Sequence, residues 1–137
     1  MQSAQQRHAE AAYKGINEAR AQAKSQGQAF EAAYGQLCHR FPSLVMTNGL
    51  RLAFAFFKAK GESSNTAAAQ AYRLYLKNMG EAVKQDWQNA KNISAESADY
   101  LALSREVLSA SVWFKRYAEA ILNVEQGTDE LALEEIQ

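Results

Sequence analysis

Apolar side chains recur every three to four residues along most of this chain, and no stretch alternates as a strand would, so the pattern predicts an all-α protein. The segment from about Ala4 to Gln26 is rich in Ala and Gln, with Tyr13 and Ile16 as its large apolar side chains. Gly27 is placed to end it as a C-cap, and a helix so sparsely apolar packs lightly. Phe30, Ala33, Tyr34, Leu37 and Cys38 keep the i, i+3, i+4, i+7 spacing of a second helix, expected from Gln28 to about His39 and stopped by a Phe41-Pro42 turn. The densest apolar helix follows, within Phe41 to Lys60. Pro42, the only proline, should fix the turn, and Ser43 should cap the helix. On a helical wheel Met46, Leu50, Ala53, Phe54 and Phe57 share one face, while Val45, Leu52 and Phe56 share another nearly opposite, so this helix is expected to be covered on two sides. Gly61 to Thr66 reads as a loop, and Tyr72, Leu76, Met79 and Val83 mark a helix reaching toward Trp87. After a break at Asn92-Ile93-Ser94, the longest helix should run from about Ala95 to Val124, with Leu103, Val107, Ala110, Phe114, Tyr117 and Ile121 as its buried stripe. Gly127 should stop it, and Thr128 should cap a short last turn carrying Asp129 and Glu130. The expectation is a single compact bundle of about six helices, one domain over residues 1–137, large enough to bury roughly two-thirds of its unfolded surface.

Charge changes this picture more than composition does. The 15 Lys and Arg balance the 15 Asp and Glu, yet they are unevenly placed. Through Gly61 there are eight bases against three acids, from Glu62 to Val124 seven of each, and from Glu125 onward five acids and no base. A basic body is cancelled by an acidic tail from about residue 125. No Asp or Glu occurs between Ala32 and Gly61, where Arg51 and Lys58, seven residues apart, form a ridge between the two apolar faces. That ridge is the first pointer to an anionic partner. Arg7 and Lys14 have the same spacing, and Arg105, Val112 and Arg116 lie together opposite the stripe of the last helix. Trp113 points well off that stripe, a direction that suits either the core or an interface. Gly49, read inside a helix, costs roughly 1 kcal/mol relative to Ala. The bland account is a neighbouring helix crossing there, with Asn48 bonded to a loop carbonyl.

The residue inventory excludes most chemistry. The Glu-x-x-His pairs of a di-metal bundle are missing, since Gln5 and Gln36 precede His8 and His39 by three. One cysteine and two separated histidines make no zinc site, so no metal and no cofactor is expected. No glycine opens a phosphate-binding G-x-x-x-x-G-K run, and no Arg is followed by His five positions on, as one class of helical ribonuclease requires. Cys38 and His39 are neighbours whose side chains diverge on a helix, a poor nucleophile and base. No enzyme is indicated. Cys38, being single, forms no intramolecular disulfide, and with no secretory or membrane-spanning pattern the expected location is cytoplasmic.

Two segments together carry a resemblance. Pro42 to Phe57, with its Pro-x5-Asn-Gly-Leu spacing ahead of a Phe-rich helix, and Asp99 to Leu122, with Ser104-Arg105-Glu106 and the run Val112 to Ala120, resemble the small helical subunit of the Cmr complex, the type III-B CRISPR RNA-guided effector. Pro42, Asn48, Gly49, Leu50 and Phe54 are then structural marks. The resemblance implies a non-catalytic subunit, present in several copies, that stacks on itself and on other Cmr subunits along a guide-bound filament and helps to hold target RNA. RNA contact would fall to Arg7, Lys14, Arg51, Lys58, Arg105 and Arg116, and assembly to Val112 and Trp113. The neutral overall charge and acidic tail imply weak RNA binding by the isolated chain. A helical protein–protein adaptor without RNA contact explains the same apolar faces and Trp113, and stands as the alternative.

Overall fold

The computed structural model describes residues 2–87, 93 and 97–124. Five helices are present among them: α1 (Ala4–Gln26), α2 (Gln28–Asn48), α3 (Leu50–Glu62), α4 (Ala67–Val83) and α5 (Ser97–Ile121). The short turn expected at Thr128 lies outside the described residues, as does most of the break expected around Asn92 and Ser94.

Local chemistry sets most of the ends. Ser3 and Gln6 form a reciprocal capping box at the start of α1, Gln6 N–H donating to Ser3 Oγ at 3.1 Å and Ser3 N–H to Gln6 Oε1 at 2.9 Å. Gly27, at φ 98°, separates α1 from α2, and the Thr66 hydroxyl accepts from Ala69 N–H at 3.2 Å to start α4.

The expected Phe41-Pro42 turn does not exist. Pro42 is buried inside α2, which runs on for six more residues, and Ser43 caps nothing; its hydroxyl donates to the His39 carbonyl at 3.2 Å. The chain breaks at Gly49 instead, where φ is 90°. Gly49 N–H donates to Val45 O at 2.9 Å and its own carbonyl accepts from Ala53 N–H at 3.1 Å, so one residue closes α2 and opens α3. The glycine therefore stands outside the helix interior, where its freedom at positive φ is an asset. Because the break resets the helical phase, Met46 shares no face with Leu50: it is 74 % exposed, whereas Leu50, Ala53, Phe54 and Phe57 are buried. Asn48 is exposed, and its amide bonds to no loop carbonyl among the described residues.

The helix enclosed by others is α4, not α3. It packs against α1, α2, α3 and α5, and twelve of its seventeen residues are buried. On α3 only one face is covered fully; Leu52 is 55 % exposed and Phe56 half-buried. An aromatic lattice fills the centre: Phe41 meets Phe57 at 4.8 Å and Tyr75 at 5.4 Å, Phe57 meets Tyr72 at 4.7 Å, and Tyr75 meets Phe114 at 5.5 Å. Buried Asn78 ties three helices by donating to Tyr34 Oη at 2.7 Å and to the Gly15 carbonyl at 3.3 Å. Gly15 permits this approach, since a Cβ there would stand 2.9 Å from the Asn78 amide. Beyond α4, Lys84 at φ 58° turns the chain so that Trp87 covers Phe54 at 5.2 Å.

Candidate nucleic-acid and assembly surface

Around α3 the basic residues gather at a corner. Phe56 lies with Arg40 Cζ 5.7 Å and Lys60 Nζ 5.5 Å from its ring centroid, so α2 and α3 each bring one cation to the same ring. Its edge meets Tyr72 at 6.3 Å. Burial pushes the Tyr72 hydroxyl up to about 12, with the nearby Arg40 charge working the other way, so it is neutral at physiological pH. Arg73 extends the corner. Its guanidinium donates to the carbonyls of Gly61 and Ser64 and to Asn65 Oδ1, all neutral acceptors at the C-terminal end of α3. Arg40, Lys60 and Arg73 have no carboxylate at ion-pair distance among the described residues. Lys58 has Glu62 at 3.9 Å, one turn on. Cations thus outnumber carboxylates at this corner, and Arg51, exposed at the other end of α3, lengthens the patch. The Arg51 backbone N–H donates to Tyr100 Oη at 3.0 Å, which pins the α2–α3 break to α5.

The remaining candidate cations are set differently. Arg7 Nη2 lies 3.0 Å from Glu106 Oε1, and His8 Nε2 lies 3.3 Å from the same oxygen. Glu106 therefore clamps α1 to α5 and balances the Arg7 charge. Lys14 is exposed, but the cleft it lines between α1 and α4 also carries Glu10, Glu18 and Glu81. Arg105 and Arg116 are exposed on α5. Lys77, which the pattern left unmarked, pairs with Glu18 at 2.8 Å, and that hydrogen bond raises its pKa.

A second surface runs along the α1–α5 seam. Trp113 is half-buried, donates Nε1–H to Gln5 Oε1 at 2.8 Å, stacks on Tyr117 at 6.2 Å and carries Arg116 Cζ 5.3 Å above its ring. Tyr117 in turn meets exposed Tyr13 edge-on at 5.5 Å. Val112 stands outward at 38 % exposure. The Arg40–Phe56–Lys60 cluster and the Glu106 clamp both escaped the sequence reading. The first joins residues of two helices, and the second spans 99 residues; only the acid-free interval from Ala32 to Gly61 hinted at the first.

Among the described residues no cluster of His, Cys, Asp or Glu could hold a metal ion, and no helix is long and apolar enough to cross a membrane. Five helices around an aromatic centre, with a cationic corner and an aromatic seam outside, define a small all-helical protein among the described residues. The chain belongs to the Cmr5 family: the family model for the CRISPR-associated protein Cas_Cmr5 matches residues 4–121. It is also 33% identical over 128 residues to a protein of Thermus thermophilus named CRISPR system Cmr subunit Cmr5, covering 89% of this chain and 98% of that protein.

Proposed function

We propose that this chain is a non-catalytic structural subunit of a type III-B CRISPR (Cmr) ribonucleoprotein, stacking in several copies along the guide-bound filament and helping to hold target RNA in the cytoplasm. Its kinship with the Thermus Cmr subunit over almost the whole of both chains carries the reading. The cationic corner supports the RNA part. Base identity in an RNA-guided system is read by pairing with the guide, so the protein need supply only positive contacts to the backbone. Arg40, Lys60 and Arg73 offer these with Arg51 and Lys58, while Arg105 and Arg116 offer a second group on α5. Arg7 serves mainly as a joint. Val112 and the Trp113 seam are the proposed contact with neighbouring subunits, where weak contacts gain from repetition along a filament.

The test is a reconstituted complex carrying Arg40→Glu with Lys60→Glu, beside one carrying Arg51→Glu with Lys58→Glu. Target-RNA affinity is measured across a salt series, with assembly checked in parallel. If each copy neutralises about three phosphates, its share of the salt slope is roughly −2, about a twentyfold loss between 50 and 200 mM salt. Removing two of those contacts should flatten the slope by roughly 1.4 per copy. An unchanged affinity and slope for both variants in fully assembled complexes would leave the protein-only adaptor.

A further inference from the structure

The apolar pattern of α3 calls for cover on two sides, yet the bundle supplies it on one, where Leu50, Ala53, Phe54 and Phe57 are buried. On the outer side Leu52, Ala55, Phe56 and Ala59 keep the i, i+3, i+4, i+7 spacing and fall within an arc of about 100°. Leu52 is 55 % exposed, both alanines are exposed and Phe56 is half-buried. Cations edge this stripe on both sides. Arg51 and Lys58 lie along one flank and Lys60 along the other, while Arg40 reaches the Phe56 ring from α2. No Asp or Glu occurs between Ala32 and Gly61; Glu62, 3.9 Å from Lys58, stands at the C-terminal end.

We propose that the outer face of α3 is the seat of an amphipathic helix from another protein subunit, one whose apolar seam is bordered by Asp and Glu. That the subunit belongs to the same ribonucleoprotein rests on the function proposed above; the chemistry of the seat does not. Spacing argues for a helix. Leu52 and Phe56 form one ridge with an alanine beside each, the shape against which a second helix packs its own ridge. Charge argues for its acids. A solvated helical face ordinarily mixes both signs and gains from i, i+4 pairs, whereas here bases border both edges. Arg40 and Lys60 have no carboxylate at ion-pair distance among the described residues. Carboxylates along the incoming seam would meet these bases as e and g positions meet across a coiled coil. A nucleic-acid backbone would use the same bases but gain nothing from Leu52, Ala55 and Ala59, so the apolar centre of the face decides for the helix. A copy so occupied leaves RNA to Arg73 and to Arg105 and Arg116 on α5. One face of a 13-residue helix is a small seat, so the contact is weak alone and gains from repetition along a filament.

The experiment treats the assembled complex with a water-soluble carbodiimide. The reagent condenses an ammonium with a carboxylate in contact with it, forming an amide while the carbodiimide takes up the water lost and leaves as its urea. Mass spectrometry then locates the link. Lys60 should be joined to an Asp or Glu of a neighbouring subunit, in a helical segment with apolar residues three or four positions away. The link should weaken at about 500 mM salt, where the Debye length falls to roughly 4 Å. Leu52→Gln with Ala59→Gln keeps every base and should cut the yield about fivefold. Because both side chains face solvent, the Tm of the isolated variant should stay within about a degree of the parent. Links from Lys60 only within its own chain, links to a carboxylate outside a helix, a yield indifferent to the two glutamines, or ultraviolet cross-links joining Phe56 to target RNA would each overturn the proposal. Target-RNA affinity of the same preparations is a separate readout. RNA held without a Lys60 link would overturn this inference alone; a Lys60 link in a complex that holds RNA no better with this subunit than without it would overturn the RNA reading alone.

Discussion

Phe54 shows what a single side chain contributes. It is fully buried on α3, with its ring edge-on to Trp87. Phe54→Ala removes most of a ring from a centre made of interlocked aromatics, and the cavity costs about 3–5 kcal/mol. For a chain of this size that lowers Tm by roughly 10 °C or more; a shift of one or two degrees in a calorimetric scan would remove Phe54 from the core. Leu50, Ala53, Phe54 and Phe57 were legible in the sequence because they lie on one helix with unbroken phase. Met46 was not, since its placement depends on the backbone turning at Gly49, which a helical wheel cannot represent. Charged residues were less legible still. Whether Arg7 is free or held depends on Glu106 from the far end of the chain, and nothing in the spacing of Arg7 and Lys14 reveals that partner.

At the scale of the element, Pro42 and Gly49 exchange the parts that local rules assign them. Proline before an apolar helix reads as a start and glycine as a defect, yet here α2 passes through Pro42 and ends at Gly49. The Pro42 ring leaves the Cys38 carbonyl without its i+4 donor, at an intrinsic cost of about 3 kcal/mol relative to Ala. Burial of the ring in the α2 interface offsets part of it, on the order of 0.8 kcal/mol per methylene. Tertiary packing of a long amphipathic helix outweighs the local preference, and the sequence offers no means of weighing the two. Pro42→Ala should restore the helical hydrogen bond while giving up the ring contacts, for a net gain of about 1 kcal/mol. The expected rise in Tm is a few degrees; a fall would mean that the ring sets the path of α2 rather than being tolerated by it. The end of α1 was legible by contrast, because Gly27 does there what local chemistry demands.

For the whole molecule, the all-helical class was readable from periodicity, while the identity of the central helix was not. Nearly all-round burial appears in α4 as small residues, Ala68, Ala69, Ala71, Gly80 and Ala82, which a search for large apolar stripes passes over. Around α4 the buried Tyr34 and Tyr75 draw together residues of four helices, and burial raises both hydroxyls well above 10.0. Tyr72 is raised to about 12, and the Cys38 thiol is raised above 9.0, again by burial. The sign follows directly. The native state keeps protons that the unfolded chain gives up, so stability is fully present below the unfolded values and declines once the pH passes about 9 for the thiol and about 10 for the phenols. Each such group contributes a slope of up to about 1.4 kcal/mol per pH unit. The Lys77 ammonium, raised by Glu18, acts in the same direction from the surface, weakened by solvent. Tm should therefore hold nearly level from about pH 7 to 9 and fall steeply above about 10. Tyr75→Phe removes one of these protons without taking a hydroxyl from Asn78, as Tyr34→Phe would, so its alkaline decline should be shallower by the share of one group. If the variant and the parent lose stability along the same slope, Tyr75 is not among the buried phenols that hold the bundle closed.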